Sequence, residues 1–241
     1  MKLSCGNAKD ISYAWSHFFL YGPSGSGKTT AAATFPRPVF IVPYNEQSIT
    51  TLRGRDVSYY ELVDMKSPLK GNRGGLTSIL DELYNAYIED PDKFPFETIV
   101  IESISHYIDL VVDELSAGGT RAMDQRHWGA VLAHFRNTQS RLRNMQVHAV
   151  FTALSDLTKD KEGNIIGGGP MVSGATAKKL PSACDVIGYC EYTSGAKNVP
   201  ARYTTYFRDR GNFPARSRFT GWPAEMENFN FAQVEHLLKG E

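Results

Sequence analysis

The stretch Gly22-Pro23-Ser24-Gly25-Ser26-Gly27-Lys28-Thr29 constrains this chain more than any other, because it matches the pattern GxxxxGK[ST] in full. That pattern has meaning only between a strand and a helix. HFFLY at 17–21 precedes it as a short apolar run with the character of a buried strand. Lys28 to Ala33 follows with residues that open a helix, which Pro36 and Pro38 stop. Gly22, Gly25 and Gly27 let successive backbone N–H groups turn inward around phosphate oxygens. The helix start adds the positive end of its dipole. Lys28 supplies a mobile charge for the β- and γ-phosphates, and the Thr29 hydroxyl is a direct Mg²⁺ ligand. With Thr30 beside them, these residues point to a bound nucleoside triphosphate, ATP with Mg²⁺.

Beyond this loop, strand and helix signals alternate. Val39–Val42 and Thr98–Ile101 read as buried strands, and Val147–Thr152 as another. Helical spacing runs over Leu76–Ile88, over 104–115 and over 128–145. The alternation predicts an α/β fold with a mostly parallel central sheet flanked by helices. Val186–Tyr192 and Arg202–Arg208 add strands of antiparallel character toward the C-terminus. Residues 116–126, with Gly118–Gly119, and 155–176, with Gly167–Gly168–Gly169–Pro170, read as polar loops. No repeat or linker divides the chain. A single domain over 1–241 is expected, with its core at about 15–218 and a helical tail at about 223–239.

Lysine plus arginine and aspartate plus glutamate number 26 each, so a strongly basic nucleic-acid coat is excluded, whereas a local basic strip is not. Cys5, Cys184 and Cys190 form no CxxC and imply reduced thiols rather than a disulfide framework or zinc site. No apolar run approaches the ~18 residues of a membrane span. A cytoplasmic protein without membrane association is expected. The histidines at 17, 106, 127, 134, 148 and 236 show no ligand spacing.

A phosphate loop needs an acid at the end of a neighbouring strand to hold Mg²⁺ through water. Glu102, after the apolar run TIVI, fits that place, although aspartate is commoner there. Glu46, just past the strand 39–42, either polarises the water that attacks the γ-phosphate or belongs to a following helix.

The order of LYGPSGSGKTTAAATFP at 20–36, ETIVIESIS at 97–105, WGAVLAHFRNTQSRLRN at 128–144 and VFTALSD at 150–156 resembles the RecA-like P-loop ATPases. GPMVSGATAKKLPSACDVIGY at 169–189 and YFRDRGNFPAR at 206–216 extend the likeness. It is nearest to the short phage nucleotide-binding proteins of the single-strand annealing group. The resemblance implies ATP hydrolysis at subunit interfaces of a homo-oligomer, a ring or a filament, in the host cytoplasm if phage-encoded. It also implies single-stranded DNA on two loops, about Ser116–His127 and Ser155–Lys179, with a single-strand binding protein as a further partner. Arg121, Arg126, Lys159, Lys161, Lys178 and Lys179 are the positive charges of those loops. Arg208 and Arg210 match a basic-Asp-basic motif that reaches the γ-phosphate of the adjacent subunit, making them catalytic with Lys28, Glu46 and Glu102. Two other readings stand beside this one. One is a nucleotide-gated assembly or loader protein for replication factors. The other is a small-molecule kinase, disfavoured because 155–176 lacks the arginines of a phosphate lid.

Overall fold

The structure, a computed structural model, describes residues 15–43, 47–62, 75–172, 176–195 and 200–240. Strand β1 (His17–Gly22) leads through the glycine loop into helix α1 (Lys28–Ala32), and β2 (Pro38–Pro43) follows. After a 3₁₀ turn at Gln47–Leu52 come β3 (Ser58–Leu62), α2 (Leu76–Glu89), β4 (Thr98–Ile101), α3 (Ile104–Leu115) and α4 (Gln125–Arg143). Strand β5 (His148–Lys159) pairs with β6 (Ile165–Pro170), and α5 (Thr176–Ser182) leads to β7 (Val186–Thr193). The chain then adds β8 (Arg202–Tyr206), β9 (Arg216–Ser217), β10 (Glu225–Glu227) and a short helix α6 (Glu235–Leu238).

One sheet organises these elements in the order β10-β8-β7-β1-β5-β4-β2-β3. The run from β7 to β3 is parallel, while β8, β9 and β10 join antiparallel at the β7 side. This is the α/β class expected from the alternation of strand and helix signals. Strand β1 lies at the middle, between β5 and β7, and Phe18, Phe19, Leu20 and Tyr21 are fully buried. Each such side chain contributes about 1.5–3 kcal/mol by leaving water. Successive residues of a strand face opposite sides, so this run serves two cores. Phe19 and Tyr21 pack with α2, α3, α4 and α5. Phe18 and Leu20 pack on the other face with α1 and the C-terminal residues Phe229, Phe231, Val234 and Leu238.

Several expectations are corrected. Residues 155–176 are not one long loop: β5 runs on to Lys159, and β6 returns along it around a turn at 160–164. Two of the three glycines of β6 are demanded by crowding. A Cβ on Gly168 would stand 2.3 Å from the Asp156 carbonyl oxygen and 2.7 Å from the Phe213 ring, and one on Gly167 2.4 Å from Asn212 Cβ. The segment 223–239 is not a helical tail. It holds β10, a 3₁₀ turn at Phe231–Gln233 and one short helix, because its aromatic residues fill a core face. The loop 116–126 ends sooner than its polarity suggests. Asp124 caps α4 by accepting from His127 N–H at 2.9 Å, which draws Arg126 into the helix. Strand β3, mostly exposed at the sheet edge, has no apolar signature and was not anticipated.

Candidate functional site

The glycine loop leaves the C-terminal end of β1 where its two neighbours diverge in topology, the crevice where open α/β sheets bind ligands. Strand β5 connects back toward β4 and β2, and β7 toward β8 and β10. Gly25 and Gly27 take φ values of 75° and 88°, a left-handed conformation that turns the loop's N–H groups to one side. Gly22 is needed for another reason: a Cβ there would lie 2.0 Å from the Cys190 carbonyl oxygen of β7. The loop thus wraps directly over the strand pair.

Lys28 is buried at the first turn of α1, and its Nζ donates to the carbonyl oxygens of Gly22 at 3.0 Å and Pro23 at 2.7 Å. Burial lowers its pKa, opposed by the attraction of Cys190 and Glu102. Residues Ser24–Thr30 line a cavity of about 800 Å³. Glu102, at the end of β4, is buried and lines the same cavity, as do Ser103 and His106 from the start of α3. Exactly one strand, β5, separates the acid-bearing strand from the phosphate-loop strand. Leu154 of β5 completes this wall, and its N–H donates to Ser105 Oγ on α3 at 3.0 Å.

The residues fit a nucleotide with Mg²⁺. The left-handed glycines and a lysine suit a phosphate cradle, and a Cβ on Gly25 would meet nothing within 4 Å. The hydroxyl of Thr29 and the Glu102 carboxylate, both on the cavity wall, are the oxygen donors that would hold Mg²⁺, Glu102 through water. The ion's contribution is to neutralise charge on the phosphate oxygens.

The other predicted residues are placed differently. Glu46 lies outside the described residues. Arg208 and Arg210 follow β8 and do not line this chain's cavity. The Arg210 guanidinium sits 4.8 Å from the centroid of the Tyr206 ring and 3.9 Å from Glu191, while Asp209 braces the turn by accepting from Ala215 N–H at 2.9 Å. Of the six basic residues proposed for two mobile loops, only Arg121 and Lys161 lie on connecting segments. Arg126 belongs to α4, Lys159 ends β5, and Lys178 and Lys179 belong to α5. Arg121, Arg126, Lys159, Lys161 and Lys179 are exposed.

Sequence reasoning missed the cavity's remaining wall. Thr51 and Arg55 come from the region before β3, Tyr203 and Thr205 from β8, and Asn228, Phe229 and Asn230 from the segment after β10. No motif marks them, since tertiary folding rather than local sequence brings them beside the loop.

A family profile described as an AAA domain matches residues 16–219. No curated protein matches the sequence. Among solved structures, the KaiC-like protein PH0186 of the hyperthermophilic archaeon Pyrococcus horikoshii is similar at 14% identity and a TM-score of 0.51. The alignment covers 91% of this chain and 90% of that one. At that identity the likeness concerns the fold, which is RecA-like.

Proposed function

The chain belongs to the AAA domain family, and from that premise we propose that this RecA-like P-loop ATPase binds ATP with Mg²⁺, hydrolyses it and couples it to a grip on single-stranded DNA. The setting we propose is a homo-oligomer acting in phage-type recombination or strand annealing. In hydrolysis, water adds to the γ-phosphorus as the bond to the β,γ-bridging oxygen breaks, yielding ADP and phosphate. Lys28 and the loop N–H groups stabilise the charge that develops on the phosphate oxygens. Glu102, on the cavity wall where it favours the charged form of Lys28, helps position the reacting end of the nucleotide.

The observation that carries this reading is the continuity of β5. Its residues 149–154 pair with β1, Leu154 lines the cavity, and residues 155–159 pair only with β6 in a hairpin beyond the parallel sheet. Lys159 and Lys161 stand exposed on that hairpin. A change at the γ-phosphate end therefore has a path along one continuous strand to Lys159 and Lys161, which stand among Asp156, Asp160 and Glu162 and offer point contacts to a phosphate backbone. Arg208 and Arg210 are exposed and stand away from their own chain's cavity, where they would serve a neighbouring subunit's nucleotide, Arg210 by leaving Glu191 and Tyr206.

A second reading, the nucleotide-gated assembly protein, draws on the same hairpin. Leu157, Ile165, Ile166 and Met171 expose apolar side chains there, at 37%, 55%, 48% and 47%, which suit a protein partner better than a phosphate backbone. Steady-state hydrolysis with and without single-stranded DNA, with Lys28→Ala as control, separates the two. Stimulation by DNA that vanishes in the variant is the expected result. ATP hydrolysis indifferent to DNA would transfer the hairpin's role to a protein partner.

A further inference from the structure

The phosphate loop forms one part of the cavity wall, and the C-terminal part of the chain forms another beside it. Tyr203 lies against the glycine loop, so close that a Cβ on Gly27 would be 3.2 Å from its Cδ1. Tyr203 is 42% exposed, and its ring packs on Tyr192 at 5.0 Å between centroids on the cavity wall. Asn228 is pinned beside it, because its N–H donates to the Tyr203 carbonyl oxygen at 2.8 Å. Two residues on, Asn230 Oδ1 accepts from Ala232 N–H at 3.0 Å, which fixes its amide and leaves Nδ2 to donate. The next N–H, of Phe231, donates to Thr34 Oγ1 at 2.9 Å, tying the segment to the end of the helix that starts at Lys28.

We propose that Tyr203, Asn228 and Asn230 form the nucleobase subsite, with adenine lying on the Tyr203 ring and its polar edge read by the asparagine amides. The inference rests on the ATP-binding reading above. A carboxamide presents a donor and an acceptor side by side, the arrangement that matches the amino group and a ring nitrogen of adenine. An aromatic face contributes stacking without selecting among bases, so Tyr203 supplies affinity and the amides supply choice. Asn228 has a left-handed φ of 49°, which asparagine tolerates and glycine would satisfy equally well. The backbone thus explains a small residue there, whereas the amide on the cavity wall is what a base needs.

Equilibrium binding of ATP and of inorganic tripolyphosphate, measured by calorimetry, tests this. Tyr203→Ala is expected to weaken ATP about tenfold, as for loss of one stacked base, and to leave tripolyphosphate unchanged. Tyr203→Phe keeps the ring and should stay within about twofold of wild type. Asn228→Gly preserves the left-handed turn, and it should weaken ATP and narrow its margin over GTP. Unchanged ATP affinity in Tyr203→Ala and Asn228→Gly, or an equal loss for tripolyphosphate, overturns the subsite. Wild-type protein that binds tripolyphosphate as tightly as ATP also overturns it, yet leaves the phosphate-loop reading intact. Protein that binds neither overturns both.

Discussion

Lowering the pH from 7.5 to 5.0 should strip this protein of a large part of its stability, through three histidines held neutral inside it. Burial, with the nearby charge of Arg143, lowers the pKa of His17 from 6.5 to about 3. Burial, with Arg141, lowers that of His134 to about 4, and burial lowers that of His148 to about 4. Ser16 N–H donates to His148 Nδ1 at 3.2 Å, a bond that an unprotonated nitrogen accepts. Below pH 6.5 the unfolded chain takes up protons on these rings that the folded chain refuses. Stability therefore falls as pH falls, and the loss stops once pH passes the folded values. At pH 5.0 each ring contributes a loss of about 2 kcal/mol relative to pH 7.5. Three acting independently reach about 6 kcal/mol, against a total of about 5–15 kcal/mol for a typical domain. Urea denaturation followed by tryptophan fluorescence at pH 7.5, 6.0 and 5.0 measures the slope. His148→Phe keeps an aromatic ring among Trp15, Phe18, Phe35 and Phe231 and should remove about a third of that slope, whatever its offset at neutral pH. A midpoint constant down to pH 5.0, or a slope untouched by His148→Phe, would refute the reasoning.

Other perturbations probe the site. Gly22→Ala places a methyl group 2.0 Å from the Cys190 carbonyl oxygen, so it should cost at least about 3 kcal/mol in urea denaturation and abolish ATP binding. Glu102→Gln removes the carboxylate charge beside Lys28. It should slow phosphate release about 100-fold while ATP affinity stays within about threefold, as fluorescent-nucleotide titration would show. Arg210→Ala should bind ATP normally yet hydrolyse it about 1,000-fold more slowly. Mixing it with Lys28→Ala should restore part of the rate, because mixed interfaces pair an intact arginine with an intact phosphate loop; no restoration would count against action between subunits.

Much of the frame was legible because it is local. The strand at 17–21, the glycine turn and the helix start are consecutive, and alternating strand and helix signals suffice to call for a parallel sheet. What escaped was non-local. Ser58–Leu62 pairs at an edge with mostly exposed side chains, so no apolar pattern betrays it. The glycine run 167–169 looks like a loop until its partners are known, since Asn212 presses on Gly167, and the Asp156 backbone and Phe213 ring on Gly168. Part of the cavity wall was hidden likewise. Tyr203 and Asn228 reach the phosphate loop because β8 pairs with β7 and β10 with β8, and neither residue carries a motif of its own.

The central place of β1 also has a consequence for the chain's birth. The strand is synthesised before either flanking partner, one of which spans residues 148–159 and the other 186–193. At bacterial or eukaryotic synthesis rates, roughly 10–30 s separate the appearance of HFFLY from that of its second neighbour. Until residues 148–159 are made this apolar, aromatic strand has both edges open, and until 186–193 are made one stays open, the condition under which chains pair with one another instead of with themselves. Nascent chains halted between the two partner strands should bind holdase chaperones, and release should follow translation of the second.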